Sequence, residues 1–595
     1  MTQRTFHATL QLTLESPLLV GGHTSPASYV DATSAKRADY VIPASALRGA
    51  LREACTRLEN AATDGATAET AVGPLTCELF GAPGADRPKL TEGTGDDIAI
   101  HSGDAGGTSG KLRVGDAVAR DTMHAAVRHG VGVDRWTGAA RPEVHFQREV
   151  AGGPGDVLSA PLECRASEPA IDLLKRAIAL VTGVGNSQSR GLGAVCASIE
   201  ATTAPIPKRS VELRSNRTEL AVRIVAREPL LLGGLPTPTN VRESLPFVSG
   251  AVLRGAIANA ALRSGIAETY EDFRAALVDP QTCILFSDAL PATESERNLP
   301  LPAPRSRLAC KHAGDRDHRN VNGVARDTLV SGWLAGLLLR EGGTVAPFVC
   351  PVCSRTLTSA KGWVGGVDPD RRVVTRLGRD VATGAASPGL LYSTVQIEPT
   401  ATFVGTVARL GDAARRLLAR IDAPVRVGGL RNRGLGTVEV TFEESSHLGR
   451  GAVQSRRAKL AKAAKPLLDV ARVLGVAEVA DADRLLAVVA RTDVALPPEA
   501  APERVGRALF GEVPFRVLAV AQAAGVRSGW CERTPGPRAL RPVVSAGSAW
   551  LFAAEGEAPS DEYLARLEVE GVGDDRELGL GRLAIAPHAL MEGWE

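Results

Sequence analysis

The chain has 595 residues, a formal net charge of +2 at pH 7, 44% hydrophobic residues and nine cysteines. At about 100–200 residues per domain this length allows roughly three to five domains. The small net charge excludes a global attraction to nucleic acid, so any such binding must use local basic patches. We find no run of about 18 apolar residues, no N-terminal secretion signal and no disulfide framework. A protein of the reducing cytoplasm, without membrane contact, is therefore expected.

The first 205 residues predict one folding unit. Period-two alternation over 6–14 predicts a strand. PASALRGALREA at 43–54 predicts a helix, because a small polar residue precedes an apolar-periodic stretch. A second helix is predicted over 168–181, followed by the Gly-rich stretch GVGNSQSRGLG at 183–193 and a final strand, AVCASIEA.

The same pieces recur downstream in the same order. The matched segments are 15–22 with 227–234, 43–54 with 249–260, 111–117 with 283–289, 133–140 with 379–386, and 183–193 with GLRNRGLG at 429–436. A helix is predicted before this second Gly-rich stretch, over 411–421. A third, degenerate copy is predicted at about 505–595, with a helix over 560–568, GVGDDRELGLG at 571–581, and VVSAGSAWLF at 543–552 in the place of PASALRG.

Each copy therefore reads strand, helix, strands, helix, strand. This order predicts an α+β fold of tandem ferredoxin-like βαββαβ units, each an antiparallel sheet with two helices on one face. The other face of such a sheet commonly takes single-stranded RNA.

A Pro-, Gly- and Arg-rich insertion at about 303–365 carries a candidate zinc site. Cys350 and Cys353 in CPVC give two thiolates spaced for one tetrahedral zinc ion. Cys310 and a histidine from LACKHAGDRDHRN complete a closed structural site. His318 is the preferred fourth ligand, because the loop must fold back before it contributes again, and His312 is the alternative. A bound metal would stabilise a segment that is too polar to form its own hydrophobic core. The alternative interpretation is that these residues are free cysteines.

The segment 446–510 is predicted to be a helical linker before a third domain at 511–595. Residues 449–472 hold seven arginines and lysines and one acid, in a helical pattern that Pro466 is expected to kink or divide. This basic face is either solvated or docks RNA or a partner. Further helices are predicted over 485–494 and 503–510.

Taken in order, these pieces resemble the RAMP superfamily of CRISPR-associated proteins. The resemblance rests on PASALRGALR, the VGDA and FSDA strands, the DRWTGAA hairpin and the Gly-rich loop before each last strand. Residues 1–205 are similar to the backbone subunit of type III effector complexes. Residues 215–595, with a second domain at 215–445, look like the double-RAMP subunit of the type III-D system, through APRSRLACK, CPVC, TGAASPGLLYS, GSAW and GLGR.

The resemblance implies a subunit that holds guide CRISPR RNA in a groove, where the guide pairs with target RNA, and that contacts other type III effector subunits. Backbone N–H groups and arginine forks would grip phosphates without reading sequence. The implied RNA-binding residues are Arg48 and Arg254 at the two first helices, Ser187, Gln188, Arg190 and Gly191 in the first Gly-rich loop, Arg431, Asn432, Arg433 and Gly434 in the second, and Trp136 as a stacking wedge. The acidic third loop is expected to be structural.

Simpler interpretations stay open for these residues. The Gly-rich stretches would also suit ordinary tight turns, and the helix arginines would also suit a solvated surface. Asp134, matched by Asp380, would also cap a Thr-Gly turn. The resemblance expects a histidine near position 322, where this chain has Asn322.

Cleavage is a further implication of the resemblance. Backbone subunits can cut target RNA with an aspartate in the loop between first strand and first helix, and the candidate here is Asp31, aided by a divalent cation such as Mg²⁺. Ser25 or Ser28 would otherwise occupy that place. The second copy has Asn240 and no aspartate in this loop, so it is expected to be inactive. The predicted function is guide-RNA binding; the alternatives are an RNA endonuclease or a purely structural capping subunit.

Overall fold

The computed structural model describes residues 4–21, 40–62, 72–82, 108–201, 211–233, 240–265, 270–293, 299–313, 316–318, 321, 323–379, 386–476, 479–531 and 536–591. Helices and mainly antiparallel sheets are both abundant in these residues, which confirms the α+β class. Within these ranges no helix combines the length and the apolar character that a membrane crossing requires.

Unit one, residues 4–201, contains a six-stranded sheet. Its elements are β1 (Arg4–Leu14), β2 (Val41–Ile42), α1 (Ala44–Ala62), α2 (Pro74–Phe80), β3 (Gly81–Ala82), β4 (Thr108–Ser109), β5 (Leu112–Val114), β6 (Ala117–Ala119), β7 (Ala125–Val133), β8 (Ala140–Ala151), β9 (Val157–Ala166), α3 (Glu168–Ile178) and β10 (Val195–Ala201). The strand order is β10-β1-β9-β6-β2, with β5 also paired to β9. Alternate residues of β1, including Leu10 and Leu12, are buried against the apolar faces of α1 and α3. The strands β7 and β8 pair with each other and form a separate ribbon.

Unit two, residues 211–443, contains a seven-stranded sheet. The elements before its insertion are β11 (Val211–Leu213), β12 (Leu220–Ala226), β13 (Val241–Glu243), α4 (Gly250–Arg263), α5 (Tyr270–Leu277), β14 (Leu285–Phe286) and β15 (Leu290–Ala292). The insertion forms β16 (Leu301–Pro302), β17 (Arg307–Ala309), β18 (Ala325–Asp327), α6 (Leu329–Arg340), β19 (Thr358–Ser359) and β20 (Trp363–Val364). The elements after it are β21 (Arg371–Arg379), β22 (Ala386–Ile397), β23 (Thr402–Ala408), α7 (Asp412–Ala419), β24 (Val425–Arg426) and β25 (Thr437–Glu443). The strand order is β11-β25-β12-β23-β14.

Unit three, residues 485–591, follows a long helix, α8 (Arg450–Val473). Its elements are β26 (Leu485–Ala490), α9 (Ala501–Phe510), β27 (Phe515–Ala521), β28 (Ala524–Arg527), β29 (Trp530–Cys531), β30 (Gly536–Pro537), β31 (Arg541–Val544), β32 (Ala549–Ala554), α10 (Asp561–Glu570) and β33 (Leu583–Ile585). The strand order is β27-β32-β26-β33. The core of this unit also takes up buried side chains from α8 and from α6 of the insertion.

The central strands of the three sheets have one common order. In each, the first strand lies between the last strand and the strand that precedes the second helix: β1 between β10 and β9, β12 between β25 and β23, and β26 between β33 and β32. A ribbon also branches from the same place in each unit, since Leu18, Leu230 and Val494 pair with Ala151, Ile397 and Val544 respectively.

Most of the predicted helices are present, and the sheet of unit three includes a strand from the segment predicted to be a helical linker. The helix predicted over 485–494 is wrong: Leu485–Ala490 is a central strand, buried on both faces. A short, continuously apolar run has the same pattern in a buried strand as in a buried helix. Residues 543–552 form strands β31 and β32 and do not stand at a first-helix position. Helix α8 runs unbroken through Pro466.

Candidate metal centre and nucleic-acid interface

The insertion brings three cysteines and one histidine together. Ligand atoms of Cys310, His318, Cys350 and Cys353 all lie within 4.8 Å of one another. Cys310 follows β17, and the Cys350–Cys353 turn is closed by the N–H of Ser354, which donates to the carbonyl of Cys350 at 2.9 Å. These are the four ligands that the sequence predicts, with His318 in preference to His312.

The geometry of this cluster fits a tetrahedral metal. The Sγ atoms of Cys310 and Cys353 are 3.6 Å apart, and zinc–sulfur bonds of about 2.3 Å place two tetrahedral ligands about 3.8 Å apart. His318 is buried, and neither of its ring nitrogens has a hydrogen-bond partner among the described residues. A buried imidazole without a partner is costly, and metal coordination removes that cost.

The surroundings of Cys350 favour its thiolate form, which is the form that binds a metal. Burial acts to raise the pKa of Cys350, but the N–H groups of Cys353 and Val352, together with the neighbouring thiols, outweigh burial and lower that pKa. The pKa of Cys310 is raised: the N–H of His312 opposes the change, but burial and the other two thiols outweigh it. Three thiols this close cannot all ionise without a cation, because the thiolates would repel one another. A bound metal would neutralise that repulsion.

The three Gly-rich loops have the same backbone. In each, a short 3-10 turn lies between two residues in the left-handed region: Ser187 and Gly191, Leu430 and Gly434, Asp575 and Gly579. The flanking glycines approach backbone: a Cβ on Gly193, Gly436 or Gly581 would lie 2.0, 2.5 or 1.9 Å from the carbonyl oxygen of Val184, Val427 or Val572. Because the acidic third loop shares this geometry, the glycines are required by the turn itself and not by a phosphate.

We number the Gly-rich loops one to three in chain order. Loop two, residues 429–436, lies in the interface between units one and two, which we call the first joint. A Cβ on Gly434 would be 2.8 Å from Cβ of Ala44 and 2.9 Å from the carbonyl oxygen of Val114. The Nε of Arg113 donates to the carbonyl of Arg431 at 3.2 Å. Gly434 is therefore buried against the start of α1 and the end of β5, and Arg431, Asn432 and Arg433 are half-buried.

Loop three occupies the corresponding place between units two and three. A Cβ on Gly579 would be 2.9 Å from Cα of Gly250 and 3.1 Å from the carbonyl oxygen of Phe286. Gly250 begins α4 and Phe286 ends β14, the elements that correspond to α1 and β5 of unit one. Loops two and three are therefore parts of two equivalent joints.

Loop one differs from these two in exposure. Gln188, Arg190 and Gly191 are exposed, and Ser187 is half-buried. A Cβ on Gly191 would meet no atom of the described residues within 4 Å. Of the three loops, this one leaves its crest most accessible to a ligand.

An aspartate and an arginine complete each joint, and no sequence pattern predicted a role for either. Asp116 Oδ1 accepts from the N–H of Ala44 at the start of α1 (2.9 Å), and its Oδ2 accepts from Arg372 of unit two (3.0 Å). The aspartates belong to the repeated VGDA and FSDA motifs, so that repeat was the available signal.

The second joint repeats this arrangement. Asp288 accepts from the N–H of Gly250 (2.9 Å) and from Arg527 of unit three (3.2 Å). Burial raises the pKa of Asp288, and Arg527 opposes that rise.

Arg48 is buried and Arg254 is half-buried, and both side chains bond to backbone carbonyls. Arg48 is 7% exposed and donates to the carbonyls of Leu112 and Phe80. Burial, with a contribution from Arg433, lowers its pKa to about 10. Arg254 donates to the carbonyl of Leu277 at 2.9 Å and to that of Glu577 in loop three at 3.3 Å. Both arginines fasten the first helix of a unit to backbone carbonyls, because a long side chain reaches neighbours that sequence spacing does not show.

Trp136 lies at the tip of the β7–β8 ribbon and is 96% exposed. Asp134 Oδ1 accepts from the N–H groups of Trp136 (2.9 Å) and Thr137 (3.0 Å), and these bonds lower the pKa of Asp134, that of Thr137 most. Asp134 therefore caps the turn that presents the indole. This is the turn-capping role that the sequence analysis gives as the simpler interpretation. Asp31, Asp380 and Asn322 lie outside the described residues.

Unit one matches a known protein family. Residues 11–196 match the family model of the RAMP superfamily. This match supports a CRISPR-associated RAMP protein. It spans β1 to the start of β10 and thus includes loop one. No curated protein matches the chain.

Proposed function

We propose that the chain is a guide-RNA-binding subunit of a type III CRISPR effector complex, acting in the cytoplasm in RNA-guided recognition of target RNA. The observation that carries the proposal is the RAMP match over 11–196, joined to the same strand order and the same Gly-rich loop in units two and three. On this proposal the chain is three tandem ferredoxin-like RAMP units, the first like a backbone subunit and the rest like a double-RAMP subunit.

The RNA contacts proposed for the chain use aromatic and basic groups that are exposed or half-buried. Trp136 and the adjacent Arg135 are exposed at the ribbon tip. An indole stacks on any base, and base–aromatic stacking contributes about 1–3 kcal/mol per base. Arg433 donates to the hydroxyl of Tyr392 at 2.9 Å and, with Arg431, lines the edge of the first joint. Arginine forks there would hold phosphates without reading sequence.

A structural zinc ion at Cys310, His318, Cys350 and Cys353 forms part of the same proposal. Four protein ligands leave no open position for catalysis. The ion would stabilise the insertion around these ligands, where Cys310, Val324, Cys350 and Leu357 form only a small buried apolar cluster.

Binding of labelled single-stranded RNA by the purified chain tests the proposal. Trp136→Ala is expected to weaken binding by roughly five- to 150-fold, the equivalent of about 1–3 kcal/mol. Tyr270→Ala, which removes a 66% exposed aromatic ring from α5, is the matched control and should change little. A chain that fails to bind RNA at low salt, or variants that lose affinity equally, would contradict the proposal.

Cleavage through Asp31 with Mg²⁺ is proposed separately. Asp31→Ala should abolish target cleavage by the assembled complex and leave its RNA affinity unchanged. Unimpaired cleavage would remove this role from Asp31.

A further inference from the structure

Helix α6 belongs to the insertion of unit two, but it packs on unit three. Its residues Leu329, Val330 and Leu334 are buried in the hydrophobic core of unit three, and the helix contacts the strands β27 and β32 and the helix α8. Successive residues of a strand point to opposite faces of the sheet, and every residue of β32 is buried. Both faces of β32 are therefore covered, and α6 supplies part of that cover.

The start of α6 is held by the small sheet β18-β17-β19, which lies beside the metal cluster. Strand β18 leads directly into α6, and the carboxylate of Asp327 at its end accepts from the N–H of Leu329 (2.8 Å) and from the hydroxyl of Ser306 (2.7 Å). The hydroxyl of Thr328 donates to the carbonyl of Ser306 at 2.6 Å. Because Ser306 immediately precedes β17, the position of α6 depends on the pairing of β17 with β18.

The four metal ligands connect the strands of this sheet. Cys310 directly follows the central strand β17, and its N–H donates to the carbonyl of Val324, just before β18, at 2.9 Å. Cys350 and Cys353 lie in the turn before β19, which pairs with the other edge of β17. His318 comes from the segment between β17 and β18. An ion bound to these residues therefore links the end of β17 to the segments that lead into both of its neighbours.

The ion also closes the loop that contains α6. In the sequence, the helix lies between Cys310 and Cys350, and a metal link that closes a long loop removes much of the conformational freedom of the unfolded segment. The helix needs such support, because it has only 12 residues, two of them glycines. A helix of this length is marginal by itself in water, and glycine weakens it further.

We propose that a metal ion at Cys310, His318, Cys350 and Cys353 keeps α6 docked on unit three, so that loss of the ion uncovers β27 and β32. The inference rests on the zinc site of the proposed function. The ion then stabilises unit three as well as the insertion that binds it. Coupling of this kind is reciprocal, so the docking of α6 in turn strengthens metal binding.

The alternative is an ion that stabilises only the residues around its ligands. The base of the insertion also contacts unit three, since the N–H of Arg305 donates to the carbonyl of Gly547 at 2.8 Å and Leu301 is buried in the core of unit three. These contacts do not involve the ligands. The two interpretations therefore differ in whether α6 and the strands beneath it open when the metal leaves.

Hydrogen exchange of the full chain with and without metal distinguishes these interpretations. Zinc is removed by dialysis against a chelator and then restored, with elemental analysis at each step. We expect removal to accelerate exchange in α6, β27 and β32 by at least about fivefold, the lower limit of typical coupling between two sites, and added zinc to reverse the change. Peptides from β1 and β9 of unit one are the internal control and should exchange equally in all samples.

The outcome separates the coupling from the zinc site itself. Acceleration confined to residues 310–328 and 341–358, with α6 and the two strands still protected, refutes the coupling and leaves the zinc site intact. A chain that binds no zinc refutes the zinc site and the coupling together, and leaves RNA binding at Trp136 to its own test.

Substitutions in α6 provide the reciprocal test. Val330→Ala combined with Leu334→Ala removes apolar contacts with unit three and changes no metal ligand. This double variant should bind zinc at least about fivefold more weakly in competition with a chromophoric chelator. The matched control is Leu339→Ala on the same helix, where the side chain is 56% exposed, and it should keep the native affinity. Circular dichroism verifies that both variants melt cooperatively, and an unchanged zinc affinity in the folded double variant overturns the proposal.

Discussion

Two glycines with the same backbone and different surroundings allow the joint between units one and two to be measured. Gly191 and Gly434 both have φ +74. Replacement by alanine places a side chain in the left-handed region in either case, at a cost of about 1–2 kcal/mol. This conformational cost is common to the two variants and cancels in their comparison.

The surroundings of each glycine then determine how far the two substitutions differ in their cost to stability. A Cβ at position 434 would lie 2.8 Å from Cβ of Ala44 and 2.9 Å from the carbonyl oxygen of Val114, whereas one at position 191 would meet no described atom within 4 Å. The carbonyl oxygen of Val114 belongs to the backbone and cannot rotate away as a side chain could. The two units must therefore shift relative to each other to accommodate the new methyl group. Overpacking of this kind costs about 1–3 kcal/mol. We therefore expect Gly434→Ala to cost about 2 kcal/mol more than Gly191→Ala.

Amide hydrogen exchange detected by mass spectrometry is the suitable assay, because it resolves the joint from the rest of the chain. A difference of about 2 kcal/mol corresponds to about thirtyfold faster exchange. We expect this acceleration in peptides covering Leu112–Ala119 and Thr437–Glu443 of the Gly434→Ala variant. Equal effects of the two substitutions, or acceleration confined to loop two, would refute the assignment of Gly434 to an inter-unit contact.

Three further predictions follow from burial and charge. We expect elemental analysis to find zinc in the native chain, and Cys350→Ser to release it and lower the melting temperature, whereas Cys196→Ser, at an exposed cysteine, should do neither. Trp550→Ala should cost about 3–5 kcal/mol, because Trp550 is fully buried in β32. The first joint should loosen in acid, as followed by hydrogen exchange. Burial acts to raise the pKa of Glu163 and of Glu228, but Arg426 and Arg113 respectively outweigh it and lower both. Their stabilisation is therefore complete above the unfolded pKa of about 4.3 and is lost as pH falls through the lower folded values.

The parts of the fold that could be predicted from sequence are those set by local pattern. The helices α1, α3, α4, α7 and α10 begin within about one residue of the expected starts, because an amphipathic stripe and a polar residue before it are both local signals. The CPVC turn indicated two ligands by spacing, and the loop before it offered Cys310 with either His318 or His312, of which the structure brings His318 to the cluster. Strand β26 was missed, since a strand buried on both faces has no alternation to detect.

The parts that could not be predicted depend on contacts between distant residues. Asp116 and Arg372 are 256 residues apart in sequence, and Asp288 and Arg527 are 239 apart. The repeated VGDA and FSDA motifs marked the aspartates, but no local rule assigns them a partner in the next unit. The burial of Arg48 was hidden for the same reason, because its carbonyl partners lie at the end of α2 and the start of β5 and not on its own helix.

The loop GLRNRGLG shows how such a motif should be interpreted. Its glycines share the positive φ and the close backbone approaches of those in loop three, whose crest carries Asp575 and Glu577. A feature shared by a basic and an acidic loop cannot be an adaptation to phosphate. The glycines make a turn that lets one unit pack on the next. Any affinity for RNA must then come from the side chains of the crest, and in loop two from Arg431 and Arg433, which the joint leaves half-exposed.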